Sequence, residues 1–491
     1  MAFKGPECSK ILLQIRKMKK ILSSILLCVS ASTALGGPID EARQLVKEGD
    51  FWGARRNLEE AVKANPKVVS TAEYNYLLGA CEFDSENYDN ALKLLETARA
   101  KGYGYANLYL GRLAFLDYDF DAATTYYDAF KRYREKLGQP AGETVEELEG
   151  QVEIAENAMS RVEKIAVIDS INVPKDDFFK HYKLSRSAGQ LVSPEKIPFA
   201  ESRQGAVMAF MNEGGDYMMW GEPDSIGNVH IVESIRLTDG TWQDPHPVDD
   251  ELGGGRYADY PFMMPDGVTL YYSSDGKGSM GGYDIFVASR DASTGEYRQP
   301  QNIGMPFNSP YNDYMLAIDE EKGVGWWATD RNRLGNDMTL YVYMVNEIRK
   351  NYDPDDEDIL KMARLTDYKA TQNTGELMQY EKSLASIENA DNNNQEKRVD
   401  FHFPVGNGKY YHSMSDFSNM AAFEAMNTYL KALSGFEKKQ KHLAELRKRY
   451  PVNRADNVRE EILALENEIE IKRAELTKLK SNVYRSLKGV K

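Results

Sequence analysis

Cysteine is scarce in this chain: its 491 residues hold three, Cys8, Cys28 and Cys81. Two of these precede residue 37, in a stretch with the marks of an export signal, so the mature chain keeps Cys81 alone. No intramolecular disulfide can then staple the fold. Histidine is scarce too, with six, at 181, 230, 246, 402, 412 and 442, and none pairs with a nearby Glu at the helical spacing of a zinc peptidase. A histidine metal centre is therefore not expected, and no cofactor is read from the sequence. Long apolar runs are missing: Ile21 to Val29 is too short to span a bilayer, and no later segment is long and apolar enough. The mature chain is expected to carry no transmembrane segment. Cations are outnumbered, 61 Lys and Arg against 76 Asp and Glu, for a formal charge of −15. The first 36 residues hold six cations and one carboxylate, so the rest of the chain stands near −20. Such acidity argues against nucleic acid, whose phosphates call for a basic face.

What the first 36 residues do contain is "MKKILSSILLCVSASTALGG", which begins at Met18 with two lysines, an apolar run and small residues. This is the pattern of a signal peptide, with cleavage expected near Ala34 or Gly36 and translation starting at Met1 or Met18. It predicts a periplasmic protein. Leu27 precedes Cys28 where a lipoprotein signal would have a small residue, which disfavours lipidation of Cys28 without settling it.

From residue 37 to 163 the pattern is helical and repeats. "YNYLLGACEFDSENYDNALKLLETARA" and "YANLYLGRLAFLDYDFDAATTYYDAFKRY" align with Gly79 on Gly111, Tyr88 on Phe120 and Ala91 on Ala123, a period of 32 residues. An earlier copy, "IDEARQLVKEGDFWGARRNLEEAVKANP", sets Ala54 and Ala61 where Ala91 and Ala98 later stand and ends on Pro66, which cannot continue a helix. Small residues thus recur where helices must cross closely. Thr144 and Glu147 are expected to form a capping box for a further helix carrying Leu148, Val152, Ala155, Met159 and Val162 on one face. Over residues 38–136 the chain resembles the tetratricopeptide family, with the Gly/Ala/Ala spacing kept and the signature Trp absent. The resemblance implies a solenoid of antiparallel helix pairs with a concave groove, and its register places Glu73, Tyr76, Phe83, Tyr105, Leu108, Arg112 and Phe115 inward. Aromatics and Arg are the usual anchors of an interface, so Tyr76, Phe83, Tyr105 and Arg112 are the partner-binding candidates. Tyr76 and Phe115 also fit a simpler role, packing between helices.

At Ile165 the pattern turns β-branched, "IAVIDSINV", and residues 164–412 read as one all-β domain, clearest over 200–345. "TWQDPHPVDDELGGGRYADYPFMMPDGVTLYYSSDG" and "EYRQPQNIGMPFNSPYNDYMLAIDEEKGVGWWATDR" place Trp242 on Tyr297, Asp259 on Asp313, Tyr260 on Tyr314 and Tyr271 on Trp326. An eroded copy upstream sets "DYMMWGEP" before "GNVHIVES". Ser279 lies among glycines, but a nucleophile elbow needs Gly two before and two after the serine on a strand-to-helix turn. Lys277 stands at the first of those positions and a strand follows, so no catalytic residue is assigned and a non-enzymatic role is expected. The "PDG" at 265–267 and the strands around it resemble the WD-like repeat of TolB-type β-propellers. In cell-envelope proteins of the Bacteroidetes such blades often follow tetratricopeptide repeats, and some of those proteins serve type IX secretion and gliding. Only three blades are legible here, and no OmpA-like domain is recognisable. "IAVIDSINV", or the strand-like "VDFHFPVGNGKYYHSMSDF" beyond the Asn-rich "ENADNNNQEKR", is a candidate to complete the propeller.

The acidic "DPDDEDIL" lacks the interior Gly and distal Glu of a calcium loop and reads as a helix start. Residues 413–491 are expected to form a helical hairpin or coiled coil, broken at "RYPVNR", with Ile462, Leu465, Ile469, Leu476, Leu479 and Val483 along one seam. The fold expected is thus a multidomain α + β chain: helical repeats, a propeller-like sheet domain and C-terminal helices. The expected function is a non-catalytic periplasmic scaffold or adaptor for protein partners in the cell envelope, tied to secretion or envelope assembly, with outer-membrane association through a partner. The alternative is a carbohydrate-binding or hydrolytic protein that uses the propeller mouth.

Overall fold

The computed structural model describes residues 37–491 except 238, 249–251, 253–256, 292–293, 389–400, 402, 406–409, 412, 418, 454–455 and 488–491. The segment read as an export signal, with Cys28, most of the Asn-rich stretch, the Gly-Asn-Gly at 406–408 expected to turn, His402 and His412 lie outside the described residues. The chain forms two compact units, one ending at Glu156 and the other beginning at Asn157.

The first unit is helical: α1 (Pro38–Glu48), α2 (Phe51–Ala64), α3 (Ala72–Asp84), α4 (Tyr88–Ala100), α5 (Ala106–Leu116), α6 (Phe120–Lys136) and α7 (Glu143–Met159), which crosses the boundary. The starts are set locally by short polar side chains. Asp50 Oδ1 accepts from Gly53 N–H at 2.8 Å, Thr71 Oγ1 from Tyr74 N–H at 3.2 Å, and Asp119 Oδ1 from Ala122 N–H at 3.0 Å. Loops of a few residues fold α1 on α2, α3 on α4 and α5 on α6. The crossings are close because the facing residues are small: Ala54, Ala91, Ala98 and Ala123 are fully buried. A Cβ at Gly111 would stand 2.3 Å from the Tyr127 ring, so only glycine fits there. The expected capping box at the seventh helix is not formed: the helix begins at Glu143, which puts Thr144 inside its first turn rather than at the cap. The face behind it holds, with Val145, Val152 and Ala155 buried.

In the second unit three antiparallel sheets follow one another. Sheet I joins β2 (Gln190–Val192), β3 (Ala209–Met211), β4 (Tyr217–Pro223), β5 (Val229–Ile235) and β6 (His246–Pro247) in that order. Sheet II joins β7 (Ala258–Met263), β8 (Thr269–Ser274), β9 (Asp284–Ser289) and β10 (Gln301–Asn302). Sheet III joins β11 (Asp313–Asp319), β12 (Val324–Thr329) and β13 (Asp337–Met344), and its outer strand is β1 (Ala166–Pro174), drawn from the start of the unit. Ala166 stands opposite Met344 and Pro174 opposite Asp337. "IAVIDSINV" therefore completes a sheet that the sequence repeat left one strand short. β7 packs on β3, β4 and β5, and β11 on β7, β8 and β9, so the sheets stack in chain order. Among the described residues the strands close no barrel.

The segment between β1 and β2 spans from sheet III toward sheet I. Phe178 packs its ring 5.8 Å from Tyr260 and 6.2 Å from Tyr314, and the Tyr182 hydroxyl donates to the Met315 carbonyl at 2.7 Å. The apolar core lies between the sheets, with Phe210, Phe262, Tyr272, Trp326 and Trp327 fully enclosed. Beyond the sheets come α8 (Ile359–Arg364), α9 (Leu377–Glu388), the small pair β14 (Phe403–Pro404) and β15 (Tyr410–Tyr411), and the long helices α10 (Met420–Asn453) and α11 (Asp456–Leu487). α10 runs through Pro451 to Asn453, so the proline expected to break it sits inside its last turn. Ile462, Ile469, Leu476 and Val483, one per heptad, are the buried seam of α11 against α10. The strands β14 and β15 join no large sheet: Phe403 lies 5.0 Å from Tyr484 and 6.1 Å from Tyr429, against the hairpin. No helix among the described residues is long and apolar enough to cross a membrane.

Candidate functional site

Tyr76 on α3 and Arg112 on α5 are 36 residues apart in sequence, just over one repeat, yet an aromatic ribbon joins them. The Tyr76 ring lies 5.0 Å from Tyr103, 6.3 Å from Tyr105 and 6.1 Å from Tyr109. Tyr109 in turn meets Phe83 edge-on at 5.3 Å, and the Arg112 guanidinium lies 4.5 Å from the Phe83 ring centre and 5.7 Å from that of Tyr109. All four sequence candidates, Tyr76, Phe83, Tyr105 and Arg112, thus belong to one connected patch. Tyr105 extends it: its hydroxyl donates to Gln139 Oε1 at 2.7 Å, and its ring stands 5.2 Å from Tyr133. Such T-shaped and tilted pairs set the positive edge of one ring against the face of the next.

Glu73 borders the patch. It is ion-paired with Arg43, which also holds Asp40 at 2.8 Å, and the Tyr103 hydroxyl points at it from 3.5 Å. Burial pushes the hydroxyls of Tyr76 and Tyr103 well up, and that of Tyr109 up to about 12 with Arg112 opposing, so all are neutral donors. Arg112 is half-buried and has no carboxylate within ion-pair distance among the described residues; its partners are ring faces. Phe115 does not join the patch, because it is buried 5.5 Å from Phe120 in helix packing. The sequence reading missed Tyr103, Tyr109, Tyr133 and Gln139. The density of tyrosine in "YGYANLYLG" was the available signal, but the repeat register pointed to Leu108 rather than Tyr109.

Other candidates resolve as structure. Ser279 is buried, its Oγ donates to the Gly282 carbonyl at 2.6 Å and accepts from Gly281 N–H at 3.3 Å, which makes it a turn former. Gly267 of "PDG" takes φ 67°, and its N–H closes the turn on the Met264 carbonyl at 2.9 Å. Cys81 is buried and its thiol is pushed up to about 12, far from a reactive thiolate. His230 pairs with Asp224 at 3.3 Å, His246 with Glu233 at 3.2 Å and His442 with Glu461 at 3.4 Å. Among the described residues no three His, Cys, Asp or Glu are grouped to hold a metal ion. In the sheet unit a second aromatic cluster stands out: Tyr260, Tyr283 and Tyr314 lie 5.3–6.0 Å from one another, with Tyr260 held at φ 56° and the Lys175 ammonium 5.7 Å from the Tyr314 ring. Comparison of the chain with protein-family models, with curated proteins and with solved structures finds no match.

Proposed function

We propose that this chain is a non-catalytic scaffold that takes a segment of a protein partner on the aromatic patch of its helical unit. On this reading the helix pairs are a tetratricopeptide-like solenoid, the three sheets are blades of a propeller-like domain, and the exported protein works in the periplasm, in secretion or envelope assembly. The observation that carries it is the convergence of Tyr76, Phe83, Tyr105 and Arg112, through Tyr109, into one cluster in which Phe83 and Tyr109 are buried and the part-exposed Tyr76, Tyr105 and Arg112 offer two phenol rings and a guanidinium with no carboxylate in ion-pair distance among the described residues. Anchors of this kind carry most of the energy of an interface.

The test is capture from a cell-envelope extract with the purified chain as bait, followed by titration of what is captured. Tyr105→Ala with Arg112→Ala is expected to weaken binding by more than about 2 kcal/mol, while Ser279→Ala leaves it unchanged. Full capture by the double variant would end the proposal. A second reading, glycan binding on the Tyr260, Tyr283 and Tyr314 cluster, is favoured by the left-handed backbone of Tyr260, which a bulky side chain rarely adopts. Loss of capture with Tyr283→Ala alone would move the site there.

A further inference from the structure

The C-terminal hairpin and the sheets have separate apolar cores. That of the hairpin holds Phe436, Leu443, Leu446, Ile462, Ile469 and Leu476, and it shares no residue with the cluster between the sheets. Polar groups face each other across the two, and on the sheet side they lie at an equivalent place in each sheet. The turns from β3 to β4, from β7 to β8 and from β11 to β12 each present a carboxylate, Glu213, Asp266 and Glu320, and the field of all three reaches Lys480 of α11. The Lys480 ammonium donates to the Pro265 carbonyl, in the middle of these turns. One turn of helix earlier, the Thr477 methyl lies 3.9 Å from where a Cβ on Gly267 would stand. Two arginines flank this contact. Arg447 holds Glu466 of α11 at 2.7 Å and reaches Asp239, in the loop after β5, at 3.8 Å. Arg473 lies in the field of Asp216, Tyr217 and Glu233, and in the opposing field of Arg290.

We propose that the hairpin is a detachable arm, seated on the β7–β8 turn through Lys480 and on the loop after β5 through Arg447, and held in balance between docked and lifted positions. A seam closed by apolar side chains is stabilised as it leaves water, whereas a seam of cations loses hydration that its carboxylates only partly restore. Burial is the largest influence on both Lys480 and Arg473 and holds each below its ordinary value, so dehydration outweighs attraction at these sites. Docking therefore favours the neutral amine of Lys480. The docked arm gains as pH rises through the range below the ordinary lysine value, and is weakest below that range. Asp266, Glu213 and Glu320 face Lys480, Asp216, Glu233 and Arg290 face Arg473, and the Tyr217 hydroxyl beside them is pushed well up by burial. His246 faces Glu233, whose hydrogen bond raises the imidazole above its ordinary value.

The test is a pair of spin labels on the full chain, at Ile226→Cys in the sheet unit and Ile471→Cys on the hairpin, both exposed, with Cys8, Cys28 and Cys81 replaced by alanine. Pulsed dipolar spectroscopy of this parent is expected to show a docked and a longer lifted distance. Lys480→Met should lower the lifted fraction about threefold or more, and Lys480→Arg should leave it in place. Between about pH 8 and 10 the lifted fraction of the parent should fall, and that of Lys480→Met should not move. A single docked distance in the parent under all conditions, a lifted fraction raised by Lys480→Met, or a parent indifferent to pH would overturn the proposal.

Discussion

The two units keep their charges in opposite places. In the helical unit the ion pairs, Arg43 with Glu73, Arg55 with Glu82 and Lys131 with Glu149, sit at the surface between neighbouring helices, and the crossings are filled by alanine, leucine and glycine. In the sheet unit the charges go inside. Asp313 and Arg331 pair at 2.7 Å with side chains 0% and 3% exposed, and Arg331 also donates to the Pro306 and Phe307 carbonyls at 2.9 and 2.7 Å. Asn308 bonds both the N–H and the carbonyl of Ile285, and Asp284 Oδ2 accepts from Met280 N–H at 3.0 Å and from Asn302 at 2.6 Å. The difference follows from the backbone. A helix satisfies its own peptide groups, so small apolar side chains suffice at its crossings. Sheets joined by irregular turns leave peptide groups enclosed without partners, and buried polar side chains must supply them.

The largest expected effect tests that claim directly. Arg331→Met leaves Asp313 enclosed without its cation and two carbonyls without donors, at a cost of about 3–5 kcal/mol in urea unfolding of the sheet unit. Lys131→Met in the helical unit should cost less than about 1 kcal/mol; equal losses would break the contrast. Next comes Ala91→Leu, which overfills a crossing where Ala91 is fully buried and should cost roughly 1–3 kcal/mol in the helical unit while the sheets stay folded. An unchanged melting temperature would mean that the crossing is not close-packed. The smallest effect sharpens the contrast by its sign. Burial, with the nearby charge of Asp313 adding to it, holds the Asp284 carboxyl well above the ordinary carboxylate value, and its Oδ1 has no hydrogen-bond partner among the described residues. The unfolded chain gives up this proton near pH 4 and the folded chain keeps it, so the wild type loses stability as pH rises past that point. Asp284→Asn should therefore be more stable than wild type by about 1 kcal/mol at pH 7, with the gap closing toward pH 4.

The parts of this architecture that the sequence made legible are those whose cause is local. Gly111 and Ala123 repeat because backbones approach there, "PDG" turns because Gly267 accepts a positive φ, and Ile462, Ile469, Leu476 and Val483 keep a seven-residue step. The patch of Tyr76, Phe83, Tyr105 and Arg112 was legible through the register of the repeat that the chain resembles. Tyr109 escaped because a neighbouring ring, not the period, draws it in. The polar interior escaped entirely: nothing near Arg331 announces that its acceptors are Pro306 and Phe307, and nothing near Lys480 announces Pro265. Partners far apart in sequence leave no periodic trace.

The pairing of Ala166–Pro174 with Asp337–Met344 has a consequence in time. The first strand of the sheet unit is made early and waits for the last, across more than 160 residues. Closing a loop of that length costs on the order of 4–5 kcal/mol of chain entropy, more than one strand pair returns. The seam between the two ends of the unit should thus be the last to form, once sheets I and II offer a surface to close on. A nascent chain halted before Asp337 holds a β-branched strand with both edges bare, the form in which a chain most needs a chaperone.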